Sequence, residues 1–331
     1  MRILALETSC DETAAAVVRD DFTVESSVIA SQAQTHAEFG GVVPELAARM
    51  HLERIASVVA EAVDGVGGLR GDLDGVAVTN GPGLVGCLAV GVTYAQSLAA
   101  GLGLPVVSVN HMSGHVLAAR IEDPSLEPPF VGLVVSGGHT DLIHYQAHNL
   151  VTLLGATRDD AVGEAFDKVA RMLGLTYPGG PAIDRLAADG DATRYRLPRP
   201  VLPDFAFSFS GLKTAVLYLV RDLGALDQQQ IADVAASFRL AAVETLCTQL
   251  EAAVEHTGCT QVVLAGGVAS NQLLRQLVRE RLQGIADVTI PAPGLCTDNA
   301  AMIGAAAWTK VARCGFDQEP FGVEPGLRAY A

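Results

Sequence analysis

The sequence predicts an α/β fold built from two similar lobes, and three observations support this prediction. Short β-branched runs alternate with helical stretches over the first 110 residues, a pattern typical of α/β proteins. The layout strand, tight turn, strand occurs at ILALETSCDETAAAVV and recurs about 130 residues later at FVGLVVSGGHTDLIHY. Several strands run into turns of small residues. Two such lobes would leave a cleft between them, where ligands usually bind.

The predicted elements of the first lobe follow in chain order. They are strand ILALE, helix PELAARMHLERIASVVAEAV, strand GVAVTN, helix LAVGVTYAQSLAAGL and strand PVVSV. Later in the chain, strand 262–265 runs through Gly266 and Gly267 into a helix that Ser270 is placed to cap,. We expect lobes at residues 1–130 and 131–331, with the option that the C-terminal helix packs back on the first lobe.

Composition excludes several classes of protein. With 331 residues, 50% apolar and 18% charged, the chain can bury a large core and is not disordered. Its N-terminal apolar run is too short for a signal peptide, and no stretch reaches about 18 uninterrupted apolar residues,. Six cysteines without a Cys-x-x-Cys pair indicate reduced thiols,. We expect a soluble cytoplasmic protein without membrane contact.

The net charge of −15 disfavours any broad attraction to nucleic acid,. One local segment, RYRLPRPVLPDFAFSFSGLKT at 194–214, interleaves cations with aromatic rings and is able to hold a backbone and stack bases,. The favoured alternative is a surface loop anchored by its alternate phenylalanines. The residues concerned are Arg194, Arg196, Arg199, Lys213, Phe205, Phe207 and Phe209.

Five small-residue turns are candidates for binding a phosphate-bearing ligand. They are TSCDET, NGPGLVG, VSGGHT, YPGGP and AGGVASN. Glycine lets the backbone approach a phosphate closely, and the N–H groups of a following helix attract it. Gly81, Gly83 and Gly86 match G-x-G-x-x-G, but the next strand ends at Asn110 without the acidic residue of a dinucleotide site,. A nucleotide ligand is expected, whereas a Rossmann dehydrogenase is disfavoured.

Two histidines in HMSGH, His111 and His115, are predicted metal ligands. The residues after them read as a helix, on which positions i and i+4 share a face. His144 and His148 have the same spacing but follow a strand-like run, so we do not expect them to chelate. Met112 occupies the position of the general base in H-E-x-x-H proteases, which argues against a peptidase,.

Asp298 in CTDNAAM is the predicted third ligand, since zinc or iron needs more than two imidazoles. It stands where a loop enters an apolar helix, so it is equally able to serve as the N-cap. Thr297 and Asn299 are alternative caps,. The sequence leaves both roles of Asp298 open.

Nine co-ordered motifs over nearly the whole chain resemble the TsaD family of tRNA threonylcarbamoyladenosine transferases, once described as O-sialoglycoprotein endopeptidases. The motifs are ETSCDET, HAEFGGVVPELAARMH, NGPGLVG, NHMSGH, LVVSGGHT, GEAFDKVARMLGLTYPGGP, FSFSGLKT, AGGVASN and CTDNAAM. The resemblance implies the two-lobed actin-like, sugar-kinase-like and Hsp70-like (ASKHA) ATPase fold with a ligand cleft between the lobes.

The resemblance also implies a reaction and its ligands. A threonylcarbamoyl group would pass from threonylcarbamoyl-AMP to N6 of the adenosine 3′ to the anticodon in tRNAs that read codons beginning with A. His111, His115 and Asp298 match the family's ligands for one divalent metal, with Fe²⁺ favoured over Zn²⁺. The resemblance also implies that ATP or ADP binds. The positions that match the family's substrate or nucleotide contacts are Val134, Val135, Ser136, Gly137, Gly138, Asp167, Gly180, Asp184 and Asn271.

The chemistry of acyl transfer suggests further roles. Backbone N–H groups at Ser136–Gly138 are placed to stabilise an oxyanion or to hold the AMP phosphate. Asp11 and Glu12 are our candidates for the catalytic base that takes the amine proton, with ordinary turn chemistry as their alternative. Lys168 is a candidate for facing the substrate, although a solvated surface position is favoured for it. An acidic chain that modifies tRNA implies partners, which in bacterial relatives are a homologous TsaB-like subunit and a TsaE-like ATPase.

Two other functional classes stay open. A small-molecule kinase of the same superfamily would phosphorylate a hydroxyl or carboxyl compound and would not need the histidine pair. A non-catalytic nucleotide-binding scaffold would tolerate the loss of His111.

Overall fold

The computed structural model describes residues 1–68, 72–148 and 150–328. Within these residues, ten strands form two five-stranded sheets. The strands are β1 (Arg2–Glu7), β2 (Glu12–Arg19), β3 (Val24–Ser31), β4 (Gly75–Gly81), β5 (Val106–Asn110), β6 (Phe130–Val135), β7 (Thr140–Ala147), β8 (Leu150–Ala156), β9 (Gln261–Ala265) and β10 (Asp287–Thr289).

Helices connect the strands and cover the sheets. They are α1 (Ala33–Ala37), α2 (Pro44–Asp64), α3 (Val85–Leu102), α4 (His111–Leu117), α5 (Ala119–Glu122), α6 (Val162–Met172), α7 (Gly179–Leu186), α8 (Ser210–Leu223), α9 (Gln228–Thr257), α10 (Gln272–Leu282), α11 (Pro293–Cys296) and α12 (Ala300–Cys314). A 3₁₀ turn over Gly267–Ser270 precedes α10. The strands and helices predicted in the first lobe are confirmed.

The two sheets have the same topology. Sheet 1 has the order β3-β2-β1-β4-β5, in which β1 pairs antiparallel with β2 and parallel with β4. Sheet 2 has the order β8-β7-β6-β9-β10, in which β6 pairs antiparallel with β7 and parallel with β9. The predicted restart of the strand–turn–strand layout is therefore confirmed, because β6–β7 occupies in sheet 2 the place of β1–β2 in sheet 1.

The contacts within the chain define two compact units, one for each sheet. Unit 1 contains Met1–Leu126 and the C-terminal segment from Gly294, and unit 2 contains Glu127–Pro293. Helix α12 packs against sheet 1, which is the option allowed for the C-terminal helix. The sequence boundaries 1–130 and 131–331 and the cleft between lobes stay predictions.

Sheet 1 is covered on both faces, which explains why its central strand is continuously apolar. Leu4 and Leu6 of β1 belong to one buried cluster with Ile55, Val58 and Val59 of α2. The buried residues of α2 recur at helical spacing along one side, so that side faces the sheet. Helix α12 packs on the other face, where the indole N–H of Trp308 donates to the Val18 carbonyl at 2.9 Å.

Helix α3 is long and apolar enough to cross a membrane by length and composition, with a mean hydropathy of 1.5 over 18 residues. In the fold it packs against β4 and α2. Its residues Cys87, Leu88, Val92 and Ala95 are buried there. Core helices of globular proteins pass the same composition test, so this helix is weak evidence for a membrane span.

We expect Gly304→Ala to destabilise the protein, because the new Cβ would lie 2.5 Å from Cγ2 of Val18 and 2.7 Å from its Cβ. The branched Val18 side chain has little freedom to move away, so overpacking should lower the free energy of unfolding by about 1–3 kcal/mol. Denaturant unfolding measures this change.

Gly101→Ala in α3 is the matched control, since among the described residues, apart from its chain neighbours and the backbone of its own helix, no atom lies within 4 Å of the position its Cβ would take. It should be neutral or stabilising by up to about 1 kcal/mol. Equal stability of the two variants would mean that α12 moves away from β2 at little cost.

Candidate metal centre

Helix α4 presents the histidine pair because it begins at His111. The Asn110 side chain caps the helix and accepts from the backbone N–H groups of Met112 at 2.9 Å and Ser113 at 3.1 Å,. His111 and His115 then lie one turn apart in the same helix. The prediction that this pair shares a helix face is confirmed.

Asn299, and not Asp298, caps helix α12. Its side chain accepts from the N–H of Met302 at 2.9 Å and donates to the Thr297 carbonyl at 2.7 Å. Asp298 directs its carboxylate to the histidines, with Oδ1 3.1 Å from His115 Nε2 and 3.6 Å from His111 Nε2. The structure thus decides between the two roles that the sequence left open.

A glycine brings α4 and α12 together. A Cβ at Gly114 would lie 2.8 Å from the Ile303 side chain and 3.3 Å from that of Met302. The absence of a side chain at this point lets the helices pack closely. This contact places the start of α12, and with it Asp298, beside the histidine pair.

Within the described residues, His111, His115 and Asp298 form one group that could hold a metal ion. One ligand atom from each lies within 4.8 Å of the others. Two imidazole nitrogens and a carboxylate oxygen suit zinc or non-haem iron. The His115 side chain is only 2% exposed, whereas that of Asp298 is 24% exposed, so the group is open to solvent on the side of the carboxylate.

Sequence reasoning missed Glu7, a buried carboxylate beside the group. Its Oε2 lies 3.0 Å from His111 Nδ1 and accepts from the Thr79 hydroxyl at 2.6 Å. Its Oε1 accepts from the Ser9 N–H at 2.5 Å. The sequence did contain one signal for Glu7, because it ends the apolar strand ILALE. A carboxylate at the end of a buried strand needs buried hydrogen-bond partners.

The charges of this group shift the pKa values of its members. Burial by itself would lower the pKa of His111, but the carboxylates of Glu7 and Asp298 outweigh it and raise this pKa to about 9. Burial would raise the pKa of Glu7, yet its charge interaction and hydrogen bond with His111 hold that pKa below its usual range. A metal ion that binds His111 has to displace a proton, so metal affinity should rise with pH.

The second histidine pair does not converge. His144 Nε2 lies 3.4 Å from Sγ of Cys259, and His148 Nε2 lies 2.5 Å from Oε2 of Glu127. The spacing of four residues along a strand and the turn that follows it gives the two rings different partners. The prediction that they do not chelate together agrees with this geometry.

Of the predicted catalytic residues, Asp11 lies in the turn between β1 and β2, and Glu12 is the first residue of β2. The Glu12 Oε1 accepts from the Ser31 hydroxyl at 2.9 Å. Its Oε2 is buried without a hydrogen-bond partner among the described residues. Burial, helped by the charges of Asp11 and Asp298, raises the pKa of Glu12 to about 7 against the opposing hydrogen bond from Ser31.

A buried histidine holds this turn. His51 has no exposed surface, and its Nε2 lies 2.9 Å from the Cys10 carbonyl. Its Nδ1 lies 2.8 Å from the Thr13 hydroxyl. Burial lowers the pKa of His51, so the neutral ring donates to Cys10 and accepts from Thr13.

The predicted substrate positions all belong to unit 2, and those at 134–138 form the end of β6 and the turn after it. The Val134 and Val135 side chains are fully buried, so only their backbone is able to meet a ligand. Ser136 Oγ accepts from the N–H groups of Gly138 at 3.3 Å and His139 at 3.1 Å. Gly137 and Gly138 are exposed, with open space beside both.

Two further hydrogen-bonded groups contain the other predicted positions. Asp167 Oδ1 accepts from the Gly179 N–H at 2.7 Å at the start of α7, and Gly180 follows with open space beside it. Asp184 Oδ1 accepts from Asn271 Nδ2 at 2.9 Å and from Arg239 Nη1 at 2.8 Å.

The predicted cap of α10 was wrong. The Asn271 side chain accepts from the Leu274 N–H at 3.0 Å and caps the helix, whereas Ser270 ends the preceding 3₁₀ turn. The extra turn shifts the helix start by one residue, and an amide oxygen serves as well as a hydroxyl there.

The structure favours the anchoring alternative for the basic segment 194–214. Phe207 and Phe209 are fully buried, so they are not available to stack on bases. Lys213 pairs with Asp160 at 2.6 Å, and Arg199 pairs with Glu244. Arg194 and Arg196 are exposed.

Lys168 is also paired. Its Nζ lies 2.8 Å from both Asp160 Oδ1 and Glu164 Oε1. This agrees with the favoured surface position and not with a substrate contact.

The glycines of NGPGLVG serve chain packing. A Cβ at Gly81 would overlap the Glu324 carbonyl, and one at Gly83 would lie 2.7 Å from the Ser9 carbonyl. The Glu324 N–H donates to the Asn80 carbonyl at 2.7 Å. The C-terminal segment therefore covers this turn, which agrees with rejecting a dinucleotide-binding role.

Comparison with known sequences identifies the family. A sequence model of the TsaD family, described as tRNA N6-adenosine threonylcarbamoyltransferase, matches residues 23–305. The chain belongs to the TsaD family. A tRNA N6-adenosine threonylcarbamoyltransferase from Geotalea uraniireducens (strain Rf4) is 53% identical over 308 residues, which cover 92% of this chain and 89% of the relative. The resemblance found in the sequence motifs is confirmed.

Solved structures confirm the fold expected of the family. Full-length HypF in its phosphate- and nucleotide-bound form aligns with a TM-score of 0.64 and 14% identity over 96% of this chain and 56% of HypF. The ROK hexokinase from Thermus thermophilus aligns with a TM-score of 0.50 and 17% identity over 94% of this chain and 99% of the hexokinase. At such identities the likeness shows the fold alone, which is the predicted ASKHA class.

We expect the double variant His111→Ala, His115→Ala to lose metal binding, because it removes two of three converging ligands. Wild-type protein, stripped by a chelator and titrated with Zn²⁺, should bind one ion per chain, and the variant should bind none tightly. Chelator competition measures both.

The control is His144→Ala, His148→Ala, which removes the same residues at the same spacing. It should bind Zn²⁺ like the wild type. Equal loss in both variants would mean that the ion does not bind at the α4–α12 group.

Proposed function

We propose that this protein transfers a threonylcarbamoyl group from threonylcarbamoyl-AMP to N6 of the adenosine 3′ to the anticodon in tRNAs that read codons beginning with A. The observation that carries the proposal is the convergence of His111, His115 and Asp298 in a chain of the TsaD family. Members of the family are described as tRNA-modifying transferases. A metal ion held by His111, His115 and Asp298 would provide a binding point for the substrate.

Fe²⁺ is our proposed ion, with Zn²⁺ as the alternative, since two imidazoles and one carboxylate form the ligand set of non-haem Fe(II) and of zinc sites. When bound, such an ion supplies Lewis acidity and positive charge to an oxygen of the substrate. His111, His115 and Asp298 would hold it, and the exposed side of Asp298 leaves room for a substrate ligand.

The positions of unit 2 are proposed to hold the adenylate. In the exposed turn Ser136–Gly138 the Gly137 N–H would meet a phosphate or a developing oxyanion, with open space beside Gly137 and Gly138,. The N–H groups of Ser136 and Gly138 already donate to the His139 carbonyl and to Ser136 Oγ. Asp167, Gly180, Asp184 and Asn271 would contact the nucleoside. Arg239 and Asn271 hold the Asp184 carboxylate in one orientation, so a ligand would meet a preorganised group.

Glu12 is the proposed catalytic base for the adenosine amine. A base is most effective when its pKa lies near the working pH, and burial raises the pKa of Glu12 to about 7. Its unpartnered Oε2 is available to take a proton. Asp11 would act beside it by raising that pKa and is the alternative base.

Partners are part of the proposal. The net charge of −15 makes strong binding of tRNA by this chain alone unfavourable, because affinity for phosphates grows with the number of cationic contacts. We propose that this protein acts together with a TsaB-like homologous subunit and a TsaE-like ATPase. ATP or ADP is a further proposed ligand, and the cytoplasm is the proposed location of the protein.

Transfer of labelled threonylcarbamoyl from its adenylate to unmodified tRNA tests the proposal. With candidate partners present, wild-type protein should label the tRNA, and His111→Ala, His115→Ala should reduce labelling to background. The control pair His144→Ala, His148→Ala should retain activity, because those rings have other partners.

Failure of wild-type protein to label tRNA, with bound metal, ATP and competent partners, would reject the transferase. Phosphorylation of a small hydroxyl or carboxyl compound would then support the kinase alternative. Full transfer activity of the double variant would mean that transfer does not need the histidine group. Absence of both activities in a wild-type protein that binds nucleotide would support the non-catalytic scaffold.

The pH dependence of transfer tests Glu12. Only the ionised carboxylate accepts a proton, so the rate should rise with pH through about 7. Glu12→Gln should lower the rate about 10²- to 10⁴-fold and remove this rise. Ser31→Ala removes the hydrogen bond that lowers the pKa of Glu12, so its profile should shift to higher pH. An unchanged profile in both variants would exclude Glu12 as the base.

A further inference from the structure

Glu7 is a fully buried carboxylate to which neither the predicted chemistry nor the proposed mechanism assigns a role. It is the last residue of β1. Removing a carboxylate from water is costly unless hydrogen bonds and opposite charge compensate it. The partners of its two oxygens therefore indicate what it does.

Three elements contact this carboxylate, and each contact makes it an acceptor. Oε1 accepts from the Ser9 N–H in the turn after β1. Oε2 accepts from the Thr79 hydroxyl of β4 and lies 3.0 Å from Nδ1 of His111 at the start of α4. An ionised carboxylate has no proton of its own to donate, so the proton in the last contact belongs to His111 Nδ1.

We infer that Glu7 is a positioning residue, which keeps the proton of His111 on Nδ1 and aims its Nε2 at the metal site. A neutral imidazole carries one proton, so protonation at Nδ1 leaves the Nε2 lone pair free to bind an ion. Metal-binding histidines commonly donate their other ring N–H to a carboxylate in this way. The inference rests on the metal centre of the proposed function and not on the identity of the substrate.

Glu7→Gln separates this role from simple support of the turn, because the amide keeps the size and one acceptor oxygen. With the amide oxygen on the Ser9 N–H, its NH₂ group points at His111 Nδ1. This favours an accepting Nδ1, to which the Ser9 hydroxyl, 3.1 Å away, is also able to donate. The ring proton then moves to Nε2 and blocks the metal ligand. In the flipped orientation the NH₂ group meets the Ser9 N–H, and two donors face each other.

Metal affinity and ring protonation of the full-length protein test the inference. Chelator competition with Zn²⁺ and with Co²⁺ should show affinity about 10- to 100-fold lower in Glu7→Gln. The control Thr79→Val removes one hydrogen bond to Oε2 but leaves the carboxylate on His111, and it should lose much less affinity. Thermal unfolding in excess chelator reports whether each variant folds.

Nitrogen-15 NMR of the Zn²⁺-loaded wild type, with His111→Ala used to assign the signals, should show a proton on Nδ1 of His111 and none on Nε2. This measurement decides the inference even if Glu7→Gln does not fold. A proton on Nε2 overturns it, and so does wild-type metal affinity in a folded Glu7→Gln. Absence of Zn²⁺ and Co²⁺ binding by the wild type also overturns it.

Failure of the inference and of the proposed function are distinguishable, because these measurements use the metal alone. A wild-type protein that binds Zn²⁺ through His111 Nε2 but never modifies tRNA would reject the transferase and leave the role of Glu7 standing. The reverse result, active protein with unchanged metal affinity in Glu7→Gln, would reject only the role of Glu7.

Discussion

The structure around the metal centre depends on one buried charge. Glu7 ends the central strand of sheet 1 without any exposure to solvent, and a carboxylate in that position demands donors from every side. The donors come from the next turn, from β4 and from α4. Satisfying this charge therefore ties the sheet to the helix that carries the histidines, and the fold and the site share one constraint.

The repeated topology gives the two units equivalent hairpins whose connecting turns differ in residue type. In each sheet a turn joins the two strands of a hairpin at the same place in the strand order, β1–β2 in sheet 1 and β6–β7 in sheet 2. In unit 1 the carboxylates of Asp11, in that turn, and of Glu12, at the start of β2, lie there, and in unit 2 the turn carries Ser136, Gly137 and Gly138. The first turn thus bears acidic side chains, whereas the second is closed by its own hydrogen bonds, from the Gly138 N–H to Ser136 Oγ and from the Ser136 N–H to the His139 carbonyl.

Electrostatics divide the charged residues into those that hold the fold and those that are free for other contacts. Lys168 and Lys213 both pair with Asp160, and Arg239 pairs with Asp184. These cations are engaged in the structure, so they add little to any attraction for phosphates. Within the basic segment, Arg194 and Arg196 are exposed to solvent.

Periodicity and motif order in the sequence determined the α/β class, the restarted layout, the helix under the histidine pair and the family, because these depend on neighbours along the chain. Only the tertiary structure decided that Asn299 caps α12 while Asp298 faces the histidines, that Phe207 and Phe209 are buried, and that Glu7 holds His111. Glu7 and His111 are 104 positions apart. Local sequence patterns indicate which residues can cap, chelate or donate, but the packing of distant segments determines the partner of each. At this site the close contact of Gly114 with Ile303 brings α12 beside α4.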